Sequence, residues 1–194
     1  MNKLYCITVL LPDTLEELIL QLKTEIAGRF NSVAALKPSC HITMQDTFLY
    51  DDRNLNRLNA YLDEGFVEYS PFEVELQNFG AFPAHTIFAA IKDFAPFQRL
   101  REMLFWKLRS EGSLSDAAIG SRQITPHVTV ASRDLSEEKF AQAWIEFSQR
   151  ELSGRFMAAS AHLMEHRGKW RTVREFPFLG LTSPVRAPLQ LFSA

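Results

Sequence analysis

Short runs in which apolar and polar positions alternate are separated by longer stretches where apolar residues recur every three or four positions. Residues 3–10 are an apolar run that predicts a first strand, closed by Pro12 and Asp13. In "PDTLEELILQLKTEIAGRF", Leu15, Leu18, Leu22 and Ile26 share one helical face, which predicts a helix over 13–30. Asp13 is suited to cap that helix and Glu16 to complete a capping box. Pro38 biases its neighbour to extended geometry, so "KPSCHITMQDTF" predicts a second strand. A short helix is expected over 51–63, opening at Asp51 and Asp52. "PFEVELQNF" turns Phe72, Val74 and Leu76 to one side and Glu73, Glu75 and Gln77 to the other, as a strand does. "HTIFAAIK" predicts another strand.

The order then begins again. Phe97, Leu100, Leu104 and Leu108 have helical spacing over 95–110, and Gly112 is suited to end that helix. Residues 112–125 read as an exposed loop, "PHVTVAS" as a strand, and 135–149 as a helix opened by Asp134 with Glu137. "RFMAASAHLMEHRGKWRTVREF" reads as a hairpin turning near Gly168. The strand at 3–10 corresponds to 85–92, the helix at 13–30 to 95–110, the helix at 51–63 to 135–149, and the strand at 71–79 to 155–165. The pattern predicts one domain over 1–194 holding two pseudo-repeats, roughly 1–80 and 81–178, with 169–177 as an addition.

Composition narrows the function classes. Hydrophobic residues are 46% of the chain and charged residues 23%, with a formal net charge of −2. That balance is globular and gives no overall basic field for duplex DNA or other long nucleic acid, although a local cluster could hold a small anion. Two cysteines, Cys6 and Cys40, make neither a disulfide framework nor a zinc site. No leader and no membrane-spanning run is read, so the expectation is a reduced, cytoplasmic protein and a monomer.

The chemistry lies in two short echoes, "CHITM" at 40–44 and "PHVTV" at 126–130. On a strand, His41 and Thr43 share one face while Ile42 and Met44 take the other; His127 and Thr129 repeat this against Val128 and Val130. With five His in the chain, chance gives about a quarter of one His-x-Thr. A lone His on a strand is usually a surface or hydrogen-bonded residue; two matched copies on corresponding strands are a constellation. Imidazole, with an unperturbed pKa of about 6.5, can serve as base or acid near neutrality. Two imidazoles on opposite sides of phosphorus can divide those tasks, while two Thr hydroxyls donate to its free oxygens. This chemistry calls for no metal or cofactor.

These motifs resemble those of the two-histidine (2H) phosphoesterase superfamily, also called the 2′-5′ RNA ligase-like family, whose signature is two H-x-T-apolar motifs in a duplicated α/β fold. "NFGAFPAHTIFAAI", "PHVTVASRDLSEEKFAQAW" and "GKWRTVREF" are similar to its bacterial branch. The resemblance implies an α/β (α+β) fold of two antiparallel sheets facing a concave cleft, with helices outside. It implies His41 and His127 as the acid–base pair and Thr43 and Thr129 as phosphate ligands. The implied substrate is a nucleotide or RNA 3′-end cyclic phosphate, opened to a 2′-phosphate. The alternative is an RNA-end binding or 2′-5′ ligase-like protein using the same cleft. Many relatives carry Arg five residues after the second His; here Ser132 holds that position and Arg133 follows, on the other face if the strand stays regular.

Further substrate contacts are assigned to Lys37, just ahead of the first motif, and to Phe48 and Tyr5 as stacking surfaces. Phe79, Phe82, Phe88 and Trp170 are further aromatic candidates. His162 and His166 are four apart, but on a strand they sit well separated and lack a third ligand. His85 lacks the His-x-Thr spacing, and Cys40 points away from His41, against a Cys–His nucleophile pair.

Overall fold

The structure is a computed structural model that describes residues 1–181; residues 182–194, which the expected 1–194 domain includes, lie outside the described residues. In chain order the elements are β1 (Asn2–Leu10), α1 (Asp13–Phe30), β2 (His41–Asp51), α2 (Leu55–Val67), β3 (Phe72–Phe82), β4 (Thr86–Ile91), α3 (Ala95–Glu111), α4 (Asp116–Ile119), β5 (His127–Ala131), α5 (Glu137–Phe147), β6 (Ser153–Ala158), β7 (Ser160–His166) and β8 (Trp170–Pro177). The α/β class and the antiparallel pairing agree with the sequence reading.

The strands form one ladder in the order β6-β3-β4-β5-β2-β1-β7-β8, where two separate sheets were expected. The two sides meet where β2 pairs with β5, through the single pair Ile42 and Val128. One bridge is enough to make the order continuous, yet it leaves the two sides free to splay around their junction. Tyr5, Ile7, Val9, Ile42, Val128 and Val130 are buried on one face of this sheet and join the side chains of α1, α2, α3 and α5 in a common core. Burial of that apolar surface is the main drive to the fold. Thr8, Cys6, Met164 and Phe88, at alternate positions, are also buried. Side chains of opposite parity on one strand can both be buried only if the second face is enclosed, so the sheet curls and that face is concave.

Several local signals resolve differently from the sequence reading. Pro12, not Asp13, precedes the first residue of α1, and no side chain caps it. Asp13 adds favourable charge to the first turn, and Glu16 instead accepts the backbone N–H of Cys40 at 3.0 Å. Ser136, not Asp134, caps α5. The Asp134 carboxylate instead accepts from Ser32 Oγ, Val33 N and Ala34 N at 2.8, 2.7 and 2.8 Å. Both acidic side chains are spent on long-range ties beside the two motifs, which local capping rules cannot foresee.

The 112–125 loop is not simply exposed. It contains α4, its Ile119 is 1% exposed, and the buried Arg101 guanidinium donates to the carbonyls of Ser121 and Ile119 and to Gln45 Oε1. The stretch read as one strand over 155–165 divides at Ala159. Its first part, β6, pairs with β3, and its second, β7, with β1 and β8. The hairpin does turn at Gly168, whose φ of +72° suits a residue without Cβ.

Candidate active site

β2 and β5 each begin at their histidine, and they meet one residue later at Ile42 and Val128. In an antiparallel ladder that register sets His41 across from Thr129 and Thr43 across from His127. Ile42 and Val128 are fully buried on the core side, so all four polar side chains lie on the concave face, each half-buried. The structure therefore brings the two motifs together, and it crosses them: each imidazole stands beside the hydroxyl of the other copy.

The imidazoles are oriented alike. Nδ1 of His41 lies 2.7 Å from the carbonyl oxygen of Ser39, and Nδ1 of His127 lies 2.7 Å from that of Thr125. A carbonyl can only accept, so Nδ1–H donates in both rings and the neutral form keeps its lone pair on Nε2. Both rings thus offer the same nitrogen for proton exchange. Among the described residues neither Thr43 nor Thr129 spends its hydroxyl in a side-chain hydrogen bond.

Burial pulls both imidazoles below the ordinary value, and their neighbours then differ. At His41 the Ser39 carbonyl opposes the shift, while the positive charges of Lys23 and His127 add to it. At His127 the Thr125 carbonyl and the Asp46 carboxylate oppose it. Lys23, 3% exposed on α1, reaches the Pro38 carbonyl at 3.5 Å. Asp46 stands on β2 beyond Thr43, past shifts in the β1–β2 register that interrupt regular alternation. Both rings are thus held toward the neutral form, and the neighbouring charges separate them: Lys23 and His127 add to the shift at His41, whereas Asp46 opposes it at His127.

The remaining sequence-assigned residues fare unevenly. Tyr5 and Phe48 are 0% and 2% exposed, and their rings face each other in the core at 6.1 Å. Tyr5 donates its hydroxyl to Asp52 at 3.0 Å. Strand pairing turned both rings to the helical side, so neither offers a stacking surface. Lys37 is exposed in the turn before β2, with no ion pair among the described residues. Arg133 is exposed, with φ of +59°, and lies past the end of β5 at Ala131. The strand has stopped there, so face alternation does not decide its direction. Cys40 is buried, and burial pushes its thiol up. Among the described residues no three His, Cys, Asp or Glu side chains cluster as a metal set.

The aromatic wall lies on β3 and β4 instead. Phe88 is directly across from Thr129, and its ring lies 4.9 Å from that of His127. Phe82, 39% exposed, packs on Phe88 at 4.7 Å and edge-on to His127 at 5.1 Å. Gly80 makes this possible: a Cβ there would meet the Phe88 ring at 2.4 Å. Sequence reasoning could have favoured Phe88 from the alternation Thr86, Phe88, Ala90, but not its pairing with Thr129. Lys23 and Asp46 were missed altogether, Lys23 because it adjoins an apolar helical stripe.

A sequence model of the 2′-5′ RNA ligase superfamily matches residues 11–170. No curated protein matches the sequence. Among solved structures, TT0787 of Thermus thermophilus is similar with a TM-score of 0.68 at 16% identity, over 91% of this chain and 98% of that one. Escherichia coli LigT complexed with 3′-AMP gives 0.60 at 14% identity, over 92% and 99%. The same protein complexed with NADP+ gives 0.60 at 17% identity, over the same shares. The matched region contains both His-x-Thr strands, and the chain belongs to the 2′-5′ RNA ligase superfamily.

Proposed function

We propose that the chain is a phosphoesterase that opens a cyclic phosphodiester, a nucleoside or RNA-end 2′,3′-cyclic phosphate, to the 2′-phosphate. One observation carries the reading: two imidazoles, both fixed by carbonyl acceptors at Nδ1, flank the single bridge between β2 and β5 beside two unspent Thr hydroxyls. The fold likeness to a protein solved with 3′-AMP, NADP+ and ATP supports a nucleotide as the ligand class.

In this reading phosphorus sits between the imidazoles, and Thr43 and Thr129 donate to its non-bridging oxygens. Neutral His41 takes a proton at Nε2 from water as the water oxygen bonds to phosphorus. The bond from phosphorus to the 3′ oxygen breaks, and His127 gives that oxygen its Nε2 proton. The product is a 2′-phosphate with a free 3′-hydroxyl, and the two rings have exchanged protonation states. The division of roles is supported by the Lys23 charge, which adds to the lowering at His41, and by the Asp46 carboxylate, which opposes it at His127. We read the two halves of the chain as pseudo-repeats, supported by the equal pairing of each motif Thr with the preceding strand, Thr43 with Thr8 and Thr129 with Phe88.

The test is turnover of nucleoside 2′,3′-cyclic phosphates, with product position assigned by NMR and with EDTA present throughout. A 2′-phosphate product is expected, and His41→Ala or His127→Ala should each lower kcat by about 10²- to 10⁴-fold with the fold intact. Tight binding of a cyclic-phosphate RNA end with no product would turn the reading toward an end-binding or ligase-like protein.

A further inference from the structure

The two catalytic rings depend on the turns that deliver them. Each gives its Nδ1–H to the carbonyl two residues earlier, that of Ser39 or of Thr125. Such a carbonyl holds the tautomer only while its peptide plane stays in place, since a turned plane would leave Nδ1–H without an acceptor. Neither carbonyl lies in a strand. β2 starts at His41 and β5 at His127, so no ladder fixes Ser39 or Thr125. Side chains from the preceding helices hold these turns instead.

Glu16 is the fourth residue of α1 and Gln98 the fourth of α3, and both are half-buried. Glu16 Oε1 accepts the Cys40 N–H at 3.0 Å. That N–H belongs to the same planar peptide unit as the Ser39 carbonyl, so Glu16 grips one edge of the plane and His41 the other. One unit earlier, the Pro38 carbonyl accepts from Lys23 Nζ at 3.5 Å. The second motif cannot repeat the Glu16 contact, because Pro126 follows Thr125 and has no N–H. Gln98 grips the chain just ahead of it. Its Oε1 accepts the Ile124 N–H at 3.4 Å, and its Nε2 donates to the Arg122 carbonyl at 2.8 Å. The Arg101 guanidinium holds the Ser121 carbonyl, and Pro126 biases Thr125 to extended geometry. A carboxylate serves where only an N–H faces it; an amide serves where an N–H and a carbonyl both do.

We propose that Glu16 and Gln98 are matched positioning residues, one for each imidazole. Each fixes the turn before its histidine, which keeps the imidazole proton on Nδ1 and leaves Nε2 free for proton exchange. Neither side chain is itself the acid or the base. Their effect on turnover rests on the phosphoesterase reading above; their hold on the tautomers does not.

The experiment reads each ring by nitrogen NMR of the imidazoles above about pH 8, where ordinary imidazoles are neutral. Both rings of the wild-type protein should carry their proton on Nδ1. Glu16→Met should raise the Nε2–H form of His41 and leave His127 unchanged, and Gln98→Met should do the converse. On a nucleoside 2′,3′-cyclic phosphate each variant should lower kcat about ten- to a hundredfold with KM little changed, as a displaced catalytic group does. Glu16→Gln keeps the acceptor oxygen and should restore both the tautomer and kcat. Should Glu16→Met fail to fold, Glu16→Asp, one methylene shorter, carries the same readout. Wild-type rings protonated at Nε2, or variants that lower the unfolding midpoint while both tautomers stay on Nδ1, would overturn the proposal and leave the two side chains as packing residues. No turnover by a wild-type protein whose tautomers do answer to these variants would instead overturn the phosphoesterase reading itself.

Discussion

Among the described residues Thr43 and Thr129 make no side-chain hydrogen bond, so both hydroxyls on the concave face are available as donors. Replacing either by Ala should cost about 1–3 kcal/mol of transition-state stabilisation, the value of a hydrogen bond to a charged group, read from kcat/KM. No effect in either variant would remove both from the mechanism. Lys23 and Asp46 act through charge, so their variants should move pH profiles rather than only rates. Asp46→Asn removes the carboxylate that favours the His127 imidazolium. The alkaline limb of kcat/KM, which reports loss of the acid's proton, should then move to lower pH. Lys23→Met removes a charge that opposes protonation of His41, so the acid limb, where the base gains its proton, should move to higher pH. Unmoved limbs would show that these two charges do not tune the pair.

At the scale of elements, the cleft is held by ties that cross the chain. Arg101 on α3 joins the 112–125 segment to Gln45 on β2, linking the approach of one motif to the strand of the other. Arg101→Met would leave buried carbonyls without a donor, and should cost about 2–4 kcal/mol in denaturant unfolding. Gly80 lets the Phe88 ring lie across β3. Gly80→Ala should push that ring toward His127, lowering kcat/KM about tenfold with little change in circular dichroism. The helices over 13–30 and 95–110 were legible because their apolar spacing runs over about three turns. The caps assigned to α1 and α5, and the break at Ala159, were not. Glu16 and Asp134 have good capping chemistry but find better partners in distant backbone, and nothing local tells β6 and β7 to join opposite sides of the sheet.

For the molecule as a whole, three half-buried imidazoles set a pH dependence of stability. His41, His127 and His162 are each held below the ordinary value, first by burial. The folded chain therefore binds fewer protons at these sites than the unfolded chain does. Their contribution is full above the unfolded imidazole pKa, about 6.5, and is lost as pH falls from there through the lower folded values. The denaturation midpoint should drop between about pH 7 and pH 5. It should drop less in a variant carrying His41→Gln, His127→Gln and His162→Gln. An unchanged slope in that variant would assign the effect to other groups.

The chain itself carried the period of its helices, the alternation of its strands, and the two His-x-Thr motifs with both polar residues on one strand face. These are local properties, set by backbone geometry and readable without a partner. Only the tertiary structure decided which strands meet. The pairing of Ile42 with Val128 crossed the motifs, that of β1 with β2 set Tyr5 against Phe48 in the core, that of β4 with β5 brought Phe88 to His127, and the packing of the whole brought the charges of Lys23 and Asp46 to bear on the histidines. Register between distant strands depends on the packing of the whole sheet and its helices, and no short stretch of sequence contains that information.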